Sequence, residues 1–365
     1  MLSSINVLDF SRVLAGPLCT MMLGDLGARV IKVERPGTGD DTRGWGPPFD
    51  SRGESAYFLS VNRNKKSVAV DLGHGPAPEL LLELIAGADV VVDNFRRGTL
   101  ERRGIDPDEM LRAHPRLIWC TITGFGERSD RPGYDLVVQA ECGWMAITGD
   151  PAGPPMRSGV ALADILAGKD AAIAILAALT ARASGQLAAG PAHRRLFISL
   201  SASATAALIN VAQNSLVTGT DATRWGNQHP NLVPYQLFDT ADRPLIIAVG
   251  SDTQWRACAL ALGLADLAAD TSLATNAGRL ESRERVVSAM ASRLVELRAG
   301  QWIERLNAAG VPCGLVKSVL ESLESTQASP LTGIAPSVGG DVRLPPPLLD
   351  EHGDEIRRLG WKVFR

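Results

Sequence analysis

The sequence predicts an α/β protein whose first 130 residues build a Rossmann-like parallel sheet covered on both faces. Three observations predict it. Short apolar runs alternate with helix-like segments, which is the order of a parallel sheet with crossover helices. Several runs, VVVD and RVIKVE among them, are dense in Val and Ile, as strands buried inside such a sheet are. The chain has 365 residues, 45% hydrophobic and 21% charged, which is ordinary for a globular protein and long enough for a sizeable core in one large or two smaller domains.

Taken in order, INVLDF reads as a short buried strand. The helix AGPLCTMMLGDLGA follows, with Pro17 near its start and Gly27 near its end. ARVIKVE is the second strand, closing at Glu34-Arg35, and KKSVAVDL the third. PELLLELIAGA is an amphipathic helix, ADVVVDNF a fourth strand and LIWCTITGF a fifth. Residues 161–183, rich in Ala, Ile and Leu, form a long buried helix, and residues 186–195 a Gly/Ala/Pro loop. RRLFISL is a strand and SASATAALINVAQNSL a helix. TGTDATRWGNQHPNLVPYQLF has weak periodicity and many turn formers, so it is read as an extended connection. LFDTADRPLIIAVG is a hairpin turning near Asp242, and Ser251 and Asp252 cap the helix TQWRACALAL. Residues 279–309 are expected to be helical, VPCGLVKSV a strand entering a helix, and VRLPPPLLDEHGDEIRRLGW a proline-stiffened segment with a short helix.

Charge and motifs exclude several functions. With 37 basic and 40 acidic residues the net charge is −3, which argues against nucleic-acid or membrane-surface partners. Cys19, Cys120, Cys142, Cys258 and Cys313 are odd in number and dispersed, so neither a disulfide framework nor a metal site is expected. MLSSINVLDF has no signal-like charge and apolar pattern, and AAIAILAALTA is too short to span a bilayer; a cytoplasmic protein is expected. G-x-x-x-x-G-K-[ST], H-E-x-x-H and G-x-S-x-G are missing. The first strand–helix turn is SRVLAGP rather than G-x-G-x-x-G, so no dinucleotide fingerprint accompanies the topology.

One acid stands out. In DRPGYDLVVQAECGWMAITGD, Asp135 follows Pro-Gly-Tyr and opens the run LVV. Read from the residues alone it is first an N-cap of the helix LVVQAEC, and second a carboxylate used in chemistry. Both roles are compatible, because a helix N-terminus also stabilises a carboxylate.

The blocks VLDFSRVLAGP, GARVIKVERPGTGDDTRGWGPPF, NRNKKSVAVDL, ADVVVDNFRRG, TGFG, DRPGYDLVVQA and GVALADILAG occur in order. Together they resemble the class III CoA-transferase family, which includes formyl-CoA and carnitine–CoA transferases and shares its fold with 2-methylacyl-CoA racemases. The resemblance covers nearly the whole chain. It implies a large Rossmann-like domain at 1–190 completed by 318–365, linker helices at 191–220, a smaller α/β domain at 221–317, and an interlocked homodimer. It implies that Asp135 is the catalytic aspartate. It places Val13 and Leu14 beside the adenine of CoA, Arg35 near a nucleotide phosphate, and Asn94, Phe95, Arg96 and Arg102 along the pantetheine and diphosphate path. Arginine suits phosphate because its planar fork gives paired hydrogen bonds; read without the family, Arg96, Arg97, Arg102 and Arg103 equally fit a solvated face. Gly73 stands where many relatives carry lysine after VDL, so one phosphate contact is lost or replaced.

The chemistry implied is CoA transfer from an acyl-CoA to a free carboxylic acid through an aspartyl anhydride and an aspartyl-CoA thioester. No tightly bound cofactor and no ATP are needed; CoA and acyl-CoA enter as substrates. Gly124 and Gly126 are candidates for donating N–H groups to the oxyanions. His229 is read either as an acceptor-acid contact or as a loop histidine bonded to backbone. Lys65 and Lys66 reach a phosphate or are exposed. Glu141 need not share the pocket of Asp135, and Trp45, Trp119, Trp144 and Trp225 are read as core or interface residues. Two alternatives remain. A racemase needs an acid/base pair, and its branch carries histidine where this chain has Tyr134. A silent CoA-binding protein would bind CoA without exchange. GNQHPNLVPYQLF resembles members that act on small dicarboxylates.

Overall fold

The computed structural model describes residues 1–73, 76–187 and 190–364. The chain divides into two compact units, the first formed by Met1–Met145, Arg157–Thr220 and Thr326–Arg365, the second by Ala146–Met156 and Asp221–Ser325. In chain order the elements begin with β1 (Asn6–Asp9), α1 (Ala15–Asp25), β2 (Arg29–Glu34), α2 (Ala56–Leu59), β3 (Lys65–Ala69), α3 (Glu79–Ala86), β4 (Val90–Asp93), α4 (Pro107–Ala113) and β5 (Ile118–Thr123). They continue with α5 (Asp135–Glu141), α6 (Trp144–Ile147), α7 (Leu162–Ala183), β6 (Arg195–Ser199), α8 (Leu200–Ala206) and α9 (Ile209–Thr218).

All pairings among the first six strands are parallel, in the order β3-β2-β1-β4-β5-β6. The register shows why the strand sequences are apolar at consecutive positions. Val7 aligns with Val30 and Val90, and Val90 with Ile118; this row faces α1 and α7. The next row, Leu8, Ile31, Val91 and Trp119, faces the opposite core with Leu81, Leu84 and Ile356. Side chains alternate across a strand, so a strand buried on both sides must be apolar throughout. On the first face α1 and α7 cross closely. A Cβ at Gly168 would stand 2.6 Å from the Ala15 carbonyl oxygen, so only glycine admits this approach.

A buried polar layer lies under α1. Lys65 is fully buried, its Nζ donating to Asp9 Oδ2 at 3.0 Å, the Pro17 carbonyl at 2.9 Å and Asn62 Oδ1 at 2.9 Å. This corrects the reading of Lys65 as exposed, and its ammonium is taken up by three acceptors of the protein. Burial alone would raise Asp9, but Lys65 and Lys32 outweigh it and hold the carboxyl at about 2. Lys66 pairs with Glu355 at 3.5 Å.

The second unit holds an antiparallel sheet, β7 (Tyr235–Phe238), β8 (Leu245–Ala248) and β9 (Cys313–Leu315), in the order β7-β8-β9. Around it lie α10 (Asp252–Ala261), α11 (Ala265–Ala269), α12 (Asn276–Glu281), α13 (Arg283–Leu294), α14 (Ala299–Ala308) and α15 (Val319–Leu323). Trp255, Met290 and Trp302 are in its core. The hairpin turn near Asp242 is present, and Ser251 caps α10 by accepting from the Gln254 N–H. Back in the first unit, β10 (Ala328–Ser329), β11 (Gly333–Ile334) and α16 (Gly353–Leu359) close the chain.

Two helical expectations are corrected. Residues 201–216 are not one helix: α8 ends at Ala206, residues 207 and 208 form a turn, and α9 restarts at Ile209, whose φ is 40°. Residues 279–309 are three segments, with the Leu297 carbonyl and Ala299 N–H drawn off to Ala241 and Asp242 of the hairpin. These are long-range bonds that helix propensity does not register. Within the predicted loop 186–195, Ala188 and Ala189 lie outside the described residues. Among the described residues the five cysteines are free thiols, and no helix is long and apolar enough to cross a membrane.

Candidate active site

In a sheet of this strand order the connections reverse direction between β1 and β4, leaving a crevice at the carboxyl ends of the strands. A cavity of about 950 Å³ opens in the first unit, within the size range of ligand sites. Its wall takes Arg12 and Val13 from the turn after β1, residues 94–98 after β4, Gly124 after β5, Tyr134 before α5 and Asp164 from the first turn of α7.

The β1–α1 turn is held under strain. Val13 has φ 71°, a conformation that costs a β-branched residue about 1–3 kcal/mol. Asn94 clasps the residue before it, accepting the Arg12 N–H at 2.9 Å and donating to the Arg12 carbonyl at 2.6 Å. Asp40 accepts from the Val13 N–H at 3.3 Å and is itself fixed by a buried pair with Lys32 at 3.0 Å. The geometry of SRVLAGP is therefore set by residues 27 and 82 positions away in sequence.

Two carboxyls meet at the start of α7. Asp164 lines the cavity and Asp135 is not among the lining residues. Asp135 Oδ1 accepts from the Ala163 N–H at 2.8 Å and from the Asp164 N–H at 3.4 Å, while Oδ2 accepts from Gln139 Nε2 at 2.6 Å. Asp135 thus caps the N-terminus of α7 rather than its own helix: α5 begins after Tyr134 and has no side-chain cap. Burial, and then the charge of Asp135, push the Asp164 carboxyl up to about 7, opposed by the Ala15 N–H at the start of α1. The same burial and the same two aspartates raise the half-buried Tyr57 phenol to about 12. A carboxyl poised near neutrality in a cavity is chemically distinctive, whereas the Asp135 oxygens are taken up by two backbone N–H groups and the Gln139 amide.

Of the nucleotide-site residues expected from the sequence, Val13, Asn94, Phe95 and Arg96 line the cavity, whereas Leu14, Arg35 and Arg102 do not. Arg35 is exposed and pairs with Asp41 at 3.0 Å; Asp41 lines the cavity and also pairs with Arg12 at 3.2 Å. Arg102 donates to Thr99 Oγ1 at 3.3 Å. Arg12 lies over the Phe95 ring at 5.2 Å, and its buried Nε has no hydrogen-bond partner among the described residues. Arg97, Arg112, Arg131 and Arg195 add guanidinium groups to a wall that also carries carboxyls, Asp93, Glu101, Asp106, Asp108, Glu127 and Asp130 among them. After VDL, the Leu72 and Gly73 carbonyls accept from Arg103. Gly126 spends its N–H on Thr123 Oγ1 at 2.9 Å, whereas Gly124 lies on the wall. Glu141 pairs with Arg131 away from Asp135. His229 is in the second unit, its Nδ1 accepting from the Asn231 N–H at 3.0 Å and its ring against Tyr235.

The profile of CoA-transferase family III matches residues 2–343. The chain belongs to CoA-transferase family III. This transferase is 39% identical to the succinyl-CoA:glutarate CoA-transferase of Mus musculus over 97% of the chain and 85% of that protein. It is 40% identical to the succinate–glutarate CoA-transferase of Agrobacterium fabrum over 89% of the chain and 82% of that protein. A crystal structure of a CAIB/BAIF family protein from Brucella suis superposes with a TM-score of 0.84 at 35% identity, covering 98% of each chain.

Sequence reasoning on this transferase passed over Asp164, Arg12 and Gln139. Asp164 had a signal, as an acid in the first turn of the otherwise apolar helix GVALADILAG. Arg12 and Gln139 had none, since their placement depends on β4 and on the 158–163 segment.

Proposed function

We propose that this transferase moves CoA from an acyl-CoA to a small dicarboxylic acid, with Asp164 rather than Asp135 as the nucleophile. The observation carrying this is the Asp164 carboxyl on the cavity wall, at the junction of two helix N-termini and raised to about 7. A desolvated carboxylate of raised basicity is a better nucleophile than one in water. Its oxygen attacks the thioester carbonyl, the C–S bond breaks, and CoA thiolate leaves an aspartyl–acyl anhydride. The thiolate attacks the aspartyl carbonyl, releasing the donor acid and leaving aspartyl-CoA. The acceptor carboxylate attacks that thioester and expels thiolate again. The thiolate then takes the acceptor's carbonyl, which frees Asp164. One thioester replaces another, so no external energy source is required.

Binding is read from the arginines and apolar side chains at the β1 and β4 ends of that wall. Val13 and Phe95 supply apolar surface for the adenine and pantetheine, and Arg12, Arg96 and Arg97 supply charge for the phosphates. Arg35, Leu14 and Arg102 contribute from the rim or after closure on the ligand. The relatives' names support dicarboxylates as acids. Helix α9 has no buried residue and exposes Leu216 and Val217 by about three quarters, which supports a homodimer covering that face.

Succinyl-CoA incubated with isotope-labelled glutarate should yield labelled glutaryl-CoA by mass spectrometry, and hydroxylamine added during turnover should mark Asp164. Absence of exchange across a panel of dicarboxylates, or a mark on another residue, rejects the assignment.

A further inference from the structure

Asp135 and Gln139 form a polar clamp on the segment that delivers Asp164. Gln139 is fully buried. Its Oε1 accepts from the Ser158 N–H at 2.8 Å, and its Nε2 donates to Asp135 Oδ2 at 2.6 Å and to the Val160 carbonyl at 3.4 Å. Asp135 then takes the Ala163 and Asp164 N–H groups. Four bonds from one turn of α5 therefore tie down residues 158–164, and a fifth, Gln139 to Asp135, braces the clamp itself. No side chain at the natural cap position, Ala161, serves α7. Four N–H groups at a helix start lack intrahelical partners, so an external carboxylate has a defined task there.

We propose that Asp135 is a positioning residue for the nucleophile: held by Gln139, its carboxylate fixes the first turn of α7 and so the orientation and basicity of the Asp164 carboxyl. The inference rests on the reading of Asp164 as nucleophile. Two effects act together. The clamp sets where Asp164 points, and a misplacement of about 1 Å in such a group costs on the order of 10²-fold in rate. The fixed charge also offsets the positive end of α7, which otherwise would favour ionised Asp164 and make it a weaker nucleophile. The groups facing Asp164 are Asp135 from α5, the Tyr57 phenol from α2 and the Ala15 N–H from α1.

Three variants of the full chain test this, assayed for CoA exchange between succinyl-CoA and labelled glutarate from pH 5 to 9. Asp135→Asn should lower kcat by roughly 10²-fold with KM for succinyl-CoA changed less than about threefold. Its acid limb should move to lower pH, because the like charge beside Asp164 is gone. Gln139→Ala leaves the charge but releases the clamp, so kcat should fall about tenfold with the acid limb of wild type retained. Asp164→Asn should abolish exchange. Hydroxylamine trapping on wild type separates the two ideas. A mark at Asp164 with an unmoved limb and unchanged kcat in Asp135→Asn overturns the positioning role alone. A mark at Asp135 overturns both. If Asp135→Asn does not fold, Gln139→Ala decides: wild-type kcat in that variant refutes the clamp.

Discussion

Asp164→Asn should stabilise the protein at neutral and alkaline pH while removing its activity. An ordinary aspartate titrates at 3.8, and Asp164 at about 7 because it is buried beside Asp135. The folded state therefore holds this proton more tightly than the unfolded chain. Below pH 3.8 both states are protonated and the folded state keeps the full benefit. As pH rises from 3.8 to about 7 the benefit is lost, because the folded state must ionise a group that resists it. At about 1.4 kcal/mol per pH unit the span amounts to roughly 4 kcal/mol. Residual solvent contact through the cavity trims this to about 2–3 kcal/mol. Asparagine keeps an acceptor for the Ala15 N–H and cannot ionise. Urea unfolding of both proteins from pH 4 to pH 8 should give curves that nearly coincide at the acid end and separate by that amount at the alkaline end. Parallel curves, or a variant less stable than wild type at pH 8, would falsify the ionisation argument.

Other substitutions probe the scaffold. Lys65→Met strands a buried Asp9 carboxylate and should cost about 3–5 kcal/mol by urea denaturation. Asn94→Ala removes both bonds to the Arg12 backbone; KM for acyl-CoA should rise several-fold in steady-state kinetics, with a stability loss of about 1–3 kcal/mol as the strained Val13 turn relaxes. Gly124→Ala places a Cβ 2.5 Å from the Gly133 Cα, a backbone clash that no rotamer relieves, and should cost about 3 kcal/mol or more, seen as a lowered Tm.

Much of the fold was legible because its strands are buried on both faces. VLD, RVIKVE and VVVD need no partner to be read as inner strands, and their alternation with helices implies the parallel sheet. The family was legible from ordered blocks, and the family match bears that reading out. The helix breaks were not, because residues 207–208 and 295–298 leave the helix for reasons that local propensity does not carry.

The two aspartates mark the boundary. The sequence by itself determined that this is a CoA-transferase with an acid in GYD and another in ALADILAG. Only the tertiary structure decided which one meets the cavity. Asp135 and Asp164 are 29 residues apart, and their roles depend on α5 lying against the start of α7. Two backbone N–H groups and the Gln139 amide take up one carboxylate, while burial beside that charge raises the other to about 7. Solvation and charge at a site are sums over elements distant in sequence, and no local pattern records them.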